Sequence, residues 1–344
     1  MSIIDVNGLL EEISAEIPCG EDLEYDPEFG EMERAAQGKP EQQIGSTFIP
    51  AQEAVWPDVK NKAMALFGRT KDLRVAVYLT RSLLHTEGLI GLSDGLTLIQ
   101  GLLVRYWEMV HPQLDPADNN DPTLRINTLA SLYDPETVLQ GIREATLVNS
   151  TALGRFSLRD ILITLGKLSL PTGSNEKSLD ISTINAAFMD AQLDDLQKTA
   201  NAISRSIECV ATIESQLMDK VGSMQTADFS TLSNLLYEAQ HIMSEHLTRR
   251  GVGEAEASSE AINEVPGSQI SAQPMTGVIN SQEDVIRVLD MACEYFNRHE
   301  PSSPVPLLLQ RAKRLVAKDF MEILRDLTPA GVTQAEEISG LSRK

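Results

Sequence analysis

The sequence has little of what most functional classes require. Three cysteines, Cys19, Cys209 and Cys293, are spread along 344 residues, too few and too scattered for a disulfide framework or a zinc site. That points to a reducing compartment. Aromatic residues make up only 5%, and β-branched runs bounded by turns are scarce, so the composition leans towards helix. Basic residues are outnumbered, 29 against 50 acidic, for a net charge of -21. Such a chain repels phosphate backbones and anionic headgroups, which argues against nucleic acid as a partner. MSIIDVNGLLEEIS lacks a cationic leader, and no apolar run approaches a membrane span, so direct membrane insertion is not expected.

What is present is helical punctuation. Asp26 and Pro27 are placed as N-cap and first residue of DPEFGEMERAAQ, and Pro57 opens PDVKNKAMALFG. KDLRVAVYLTRSLLHTEG carries Leu73, Val77 and Leu84 at helical spacing and stops at Gly88. In SDGLTLIQGLLVRYWEMV, Leu96, Ile99, Leu103, Tyr106 and Val110 share a stripe that His111-Pro112 ends. DPTLRINTLASL and DPETVLQGIREA both open Asp-Pro. From Leu193 to Val221 apolar residues step by three and four, and Leu232 to Leu247 form a partner stripe capped by Asp228 or Ser230. This predicts an αα-hairpin packed within its own subunit or against another. Residues 37–57 read as an aperiodic excursion, and 250–280 as a flexible tether.

These breaks give an all-α fold in four parts. Residues 1–147 form a helical-bundle domain, 148–250 a middle region with the long hairpin, 251–280 a linker and 281–344 a small helical domain. Within the last, Ser281 and Asp284 make a capping box. Glu300-Pro301 ends one helix, and Ser303 with Pro304 starts another, whose stripe runs through Leu308, Ala312, Leu315 and Phe320. Arg311, Arg314 and Lys318 lie on one flank, either as a solvated face or against acidic surface on a neighbour. A domain this small has little core of its own, and oligomerisation is a usual remedy.

Catalytic signatures are thin. GLSDG at 91–95 fits G-x-S-x-G, but that elbow needs a strand before it, and Ser93 is better placed as an N-cap. SNEK at 174–177 has Ser-x-x-Lys spacing without its partner motifs. His241 and His246 are five apart, unlike the i, i+4 pair that binds zinc. The acidic run from Glu21 to Glu33 lacks EF-hand spacing and reads as helix-starting carboxylates on a solvated face. No cofactor or metal is expected.

Three blocks in order, PCGEDLEYDPEF at 18–29, TKDLRVAVYLTRSLL at 70–84, and YWEMVHPQLDP with NDPTLRINTLASL at 106–132, resemble the ImpA N-terminal domain of the TssA family of type VI secretion proteins. EPSSPVPLLLQRAKRLV is similar to the C-terminal domain of the short, baseplate-like TssA class. The resemblance implies a non-enzymatic assembly factor, cytoplasmic and associated with the secretion apparatus at the inner membrane. It also implies a ring-like homo-oligomer built through the C-terminal region, engaging baseplate, tail tube, sheath and membrane complex. A cap or adaptor at the distal end of the sheath is the alternative, and a hydrolase using Ser93 the alternative of another class.

Each motif residue also has a structural role to weigh. Pro18, Cys19 and Gly20 make a rigid turn beside Asp22 and Tyr25. Lys71 and Asp72 open a helix, with Arg74 and Arg81 beside them, as a packing ion pair or a partner contact. Trp107 near His111 is placed for core packing or recognition. Asp121, Arg125 and Asn127 are expected to form a polar network around an Asp-Pro helix start.

Overall fold

The computed structural model describes residues 2–38, 42–44, 47–50, 53–169, 179–222, 227–252, and then 285, 286, 288, 289, 293 and 305–315. The chain divides into two compact units, 1–261 and 262–344. In the first unit α1 (Val6–Leu9), α2 (Pro27–Gln37) and α3 (Trp56–Phe67) lead into α4 (Leu73–Tyr106), followed by α5 (Thr123–Ala130) and α6 (Val138–Glu144). Beyond these come α7 (Leu158–Thr164), α8 (Ile181–Asp190), α9 (Leu193–Val221) and α10 (Ser230–Arg249).

The fold is mostly helical, but not strictly all-α. β1 (Gln42–Ile44) pairs antiparallel with β2 (Thr47–Ile49), inside the stretch expected to be aperiodic. A second antiparallel pair joins β3 (Thr146–Ser150) to β4 (Gly154–Ser157). Position 147 therefore lies inside a strand. The turn, residues 151–153, leads into β4 at Gly154 with φ 96°, a conformation that suits glycine.

The centre of the unit is α4, which is two helices in one. Gly88 sits at φ 67°, ψ -146° in its middle, and beyond it the chain doubles back. Asp72, ahead of the first arm, bridges His111, beyond the second. The arms approach closely because two glycines face the first arm. A Cβ on Gly91 would lie 2.3 Å from the Leu83 carbonyl oxygen, and one on Gly95 2.5 Å from Thr80 Oγ1. The GLSDG motif is thus an i, i+4 pair of glycines that lets two helices touch. Ser93 is not an N-cap: it lies inside the second arm, 2% exposed, and its Oγ has no hydrogen-bond partner.

By length and composition alone one 18-residue run of α4, with mean hydropathy 1.2, passes as a membrane span, but 61% of that run is buried inside the protein, as in the core helix of a bundle. Dry packing accounts for that run: α3 covers one side and α9 another. α9 runs parallel to the second arm, as Arg205 to Asp94 (3.8 Å), Cys209 to Thr97 (3.5 Å) and Lys220 to Glu108 (3.5 Å) show. The α9–α10 hairpin is therefore packed within its own chain, with Gln240 donating to Ser204 across it at 3.0 Å. Neither Asp228 nor Ser230 is the N-cap of α10: that position is Phe229, and Asp228 before it accepts from the Ser230 amide at 2.9 Å. His246 is buried, stacked on Phe188 with ring centroids 3.7 Å apart.

The Asp-Pro helix starts differ from expectation. α5 begins at Thr123, and α6 begins at Val138 after a turn in which Asp134 accepts from the amides of Glu136 and Thr137. In the second unit α11 (Val305–Leu315) is described. Buried Cys293, 13 positions before Pro306 in sequence, places its Sγ 3.8 Å from the Pro306 carbonyl oxygen, so the start of α11 packs against Cys293. Ser281, Asp284, Glu300, Pro301, Ser303, Pro304, Lys318 and Phe320 lie outside the described residues.

Two substitutions test the reversal. Gly91→Ala forces a methyl group onto a backbone oxygen and should cost about 1–3 kcal/mol by overpacking, read as a lower urea midpoint. Ser93→Ala removes a buried, unpartnered hydroxyl and should leave stability unchanged or raise it by up to about 1 kcal/mol.

Candidate functional site at the junction of the three blocks

The three motif blocks meet at one place, the open end of the α4 hairpin. The turn Pro18-Cys19-Gly20 crosses it. Gly20 adopts φ 69° and bridges Thr70, and a Cβ there would fall 2.1 Å from the Arg69 carbonyl oxygen, so no other residue fits. The Lys71 amide donates to the Cys19 carbonyl at 2.7 Å, the His111 amide to Lys71 at 3.0 Å and the Leu73 amide to His111 at 2.8 Å. One short ladder of backbone bonds thereby joins residues far apart in sequence.

Side chains complete the junction. Asp72 is fully buried, caps α4 through the Arg74 amide at 2.7 Å, and accepts from the Arg74 guanidinium. The same guanidinium donates to Glu24 at 2.8 Å and Asp22 at 2.9 Å. Burial pulls the Arg74 pKa down, but the hydrogen bond and charge of Asp72, with Glu24 and Asp22, outweigh it and leave the pKa raised. His111 is buried with one ring nitrogen 3.1 Å from the Gly20 carbonyl oxygen. Its Nδ1 has no hydrogen-bond partner and lies 3.8 Å from Asp22. Lys71 is buried over Phe67, and burial lowers its pKa.

Arg125 closes the far side. It is 1% exposed and donates from Nε to Pro112 at 2.7 Å, from one terminal nitrogen to Val110 at 2.7 Å and from the other to Trp107, all carbonyl oxygens. Its guanidinium also lies 4.9 Å from the centroid of buried Trp107. Without a carboxylate to pair with, burial pulls its pKa down to about 10. The expected network with Asp121 and Asn127 does not form: both are exposed, and Asp121 accepts only from the Thr123 hydroxyl. The carbonyls of a folded-back loop outcompete local side chains because a planar fork of donors satisfies several at once.

Two candidates stand apart. Tyr25 is 94% exposed on the loop between Asp22 and α2. Leu308, Arg311 and Arg314 are exposed on α11, with Leu315 half-buried. Sequence reasoning missed Asp94, buried in the second arm, whose carboxylate accepts from the Ile3 amide at 2.5 Å and the Ile4 amide at 3.3 Å. Its partners lie some ninety positions away in sequence, and nothing local announces them.

Among the described residues no group of His, Cys, Asp and Glu is arranged to hold a metal ion. The acidic cluster of Asp22, Glu24 and Asp72 is instead filled by the Arg74 guanidinium. The arrangement can position a loop and a helix start, and it holds no reacting pair of side chains.

A family model described as ImpA, N-terminal, type VI secretion system matches residues 10–134. The type VI secretion system component TssA1 of Pseudomonas aeruginosa is 43% identical over 346 residues, spanning 98% of this chain and 99% of that protein. The chain belongs to the TssA family. The solved N-terminal domain, including the conserved ImpA_N region, of the TssA component from Burkholderia cenocepacia matches with a TM-score of 0.58 at 22% identity, over 73% of this chain and 96% of that one. That likeness is one of fold. The junction lies inside the stretch matched by the ImpA N-terminal model, and the first TssA unit continues beyond it to α9 and α10, which pack on the same core.

Replacing Arg125 by Met should leave three buried carbonyls short of donors and cost about 3 kcal/mol or more. Lys should rescue little, since a single ammonium cannot reproduce the fork; chemical denaturation reads both. Burial raises the Cys19 thiol from 9.0 to about 11 despite the nearby Lys71 and Arg125. A raised folded pKa means stability that is fully present below 9 and lost as pH climbs through 11. Cys19→Ala should therefore flatten the alkaline decline of the unfolding free energy across that window.

Proposed function

We propose that this TssA protein is a non-enzymatic assembly component of a type VI secretion system. It forms a ring-like homo-oligomer through residues 281–344 and engages baseplate, tail tube, sheath and membrane complex from its N-terminal units. The observation that carries the reading is the match to TssA1 along nearly the whole chain, not just the ImpA N-terminal stretch. The function that fits a junction of buried ion pairs and carbonyl-bound arginine is to hold shape, because those groups are already consumed by one another.

The second unit supports the oligomer. In α11 the stripe Leu308, Ala312 and Leu315 does not face inward: Leu308 is 65% exposed, Ala312 is exposed and Leu315 only half-buried. Pro306, on another face, is buried. An apolar stripe in water next to Arg311 and Arg314 is what a subunit interface leaves behind when its copy is removed. Heterologous contacts of that kind close into rings, and many tethered arms then act through effective concentration.

The test is truncation. Chain lacking 281–344 should run as small soluble species by light scattering, while full-length protein shows rings in electron micrographs. Rings that survive the truncation overturn the reading. Leu308→Asp should shrink the full-length assembly without unfolding the first unit.

A further inference from the structure

A groove and a protrusion on the first unit have complementary chemistry. The groove, of about 390 Å³, lies where residues 2–10 cross the second arm of α4 beside α9. Ile4 and Val6 form its apolar wall, Val104 is 55% exposed at its edge, and Arg105, Arg205 and Asp5 supply its charged lining. This is an unusual place in an acidic protein. Lys60, Lys62, Arg69, Arg74, Lys167 and Lys198 all lie within 3 Å or so of a carboxylate. Arg205 by contrast reaches no closer than 3.8 Å to Asp94 Oδ1, while two backbone amides hold the other carboxylate oxygen, Oδ2.

The protrusion is the loop carrying Tyr25. Its backbone is pinned on both sides: the Glu24 amide donates to Asp22 at 3.0 Å, the Asp26 amide to Leu23 at 2.9 Å, and Arg69 ties down the Asp26 carboxylate at 2.6 Å. The tyrosine itself touches almost nothing; Asp22 and Glu24 beside it are held by Arg74 of the same chain, while Glu21 is exposed. A rigid aromatic with its ordering cost already met is the usual anchor of an interface.

We propose that first units of two copies of this chain meet head to tail. Tyr25 of one copy seats against Val104 in the groove of the next, and the Glu21 carboxylate of its loop faces Arg105. The contact is heterologous, so it propagates in one direction. Exposed ion pairs contribute little each, so it forms where copies are already held near one another. It is a different surface from the α11 stripe, and either can fail alone.

The test uses full-length protein with p-benzoylphenylalanine in place of Tyr25, mixed with isotopically labelled chain that carries no photoprobe. Irradiation should give cross-links between labelled and unlabelled copies that map to the peptide around Thr97 to Arg105 or to residues 2–10. Arg105→Glu or Val104→Asp in the labelled copy should abolish them; both sites are exposed, so the fold survives. Glu21→Arg on the photoprobe copy should restore the link to the Arg105→Glu copy. Cross-links confined to one copy, mapping elsewhere, or indifferent to Arg105→Glu overturn the proposal. Rings seen in the same sample without the cross-link overturn this contact and leave the C-terminal ring standing.

Discussion

The first unit depends on one reversal, the turn at Gly88 that folds α4 on itself. A left-handed residue there costs glycine little and any β-carbon much more. Once the arms are antiparallel, Asp72 and His111 become neighbours, and the loop from Pro18 to Gly20 can pair with Thr70 and Lys71 beside them. The close approach of the arms then rests on Gly91 and Gly95, where the missing side chains let backbone meet backbone. Remove the reversal and the ladder, the Arg74 cluster and the Arg125 carbonyl fork lose their geometry together.

Charge is handled inside this frame in two ways. Arg74 is surrounded by carboxylates, and Asp72, the buried one, also caps the helix, so a single group satisfies a cation and an orphan amide. Arg125 takes the opposite course. It is buried with no counter-ion and leans on three carbonyl dipoles and the Trp107 ring, which is why its pKa falls while that of Arg74 rises. Burial penalises the ion in both; only the partners differ.

Much of this was legible in the sequence and some was not, for identifiable reasons. The helices and the α9–α10 hairpin follow from apolar spacing, and Gly88 was readable as a stop. What a stop signal does not say is where the next helix goes, so the hairpin and its apolar double length were invisible. GLSDG held its meaning in the glycines, four apart on one face, while the familiar motif drew attention to Ser93. Arg125 was placed with its near neighbours in sequence because Asp121 and Asn127 lie within a helical turn, yet its partners come from the chain's return past His111. The strands were missed because three-residue runs such as Gln42–Ile44 carry almost no periodicity. The three blocks were the strongest signal, and the structure shows their physical link: they are the three sides of one junction.

A chain with a net charge of -21 repels its own copies, so any assembly of it must concentrate attraction locally. Screening helps, since beyond about 8 Å at physiological salt the excess charge is largely hidden. Within that distance the sign at the contact decides. Many cations of the first unit are spent on internal ion pairs, and Arg105 and Arg205 at the apolar groove mark a place where a second acidic copy would be tolerated. Apolar contact would supply the attraction and the arginines would remove the penalty. Neither is large alone, and in the proposed ring the copies would add them through effective concentration, so that assembly would be reversible subunit by subunit and firm only as a whole.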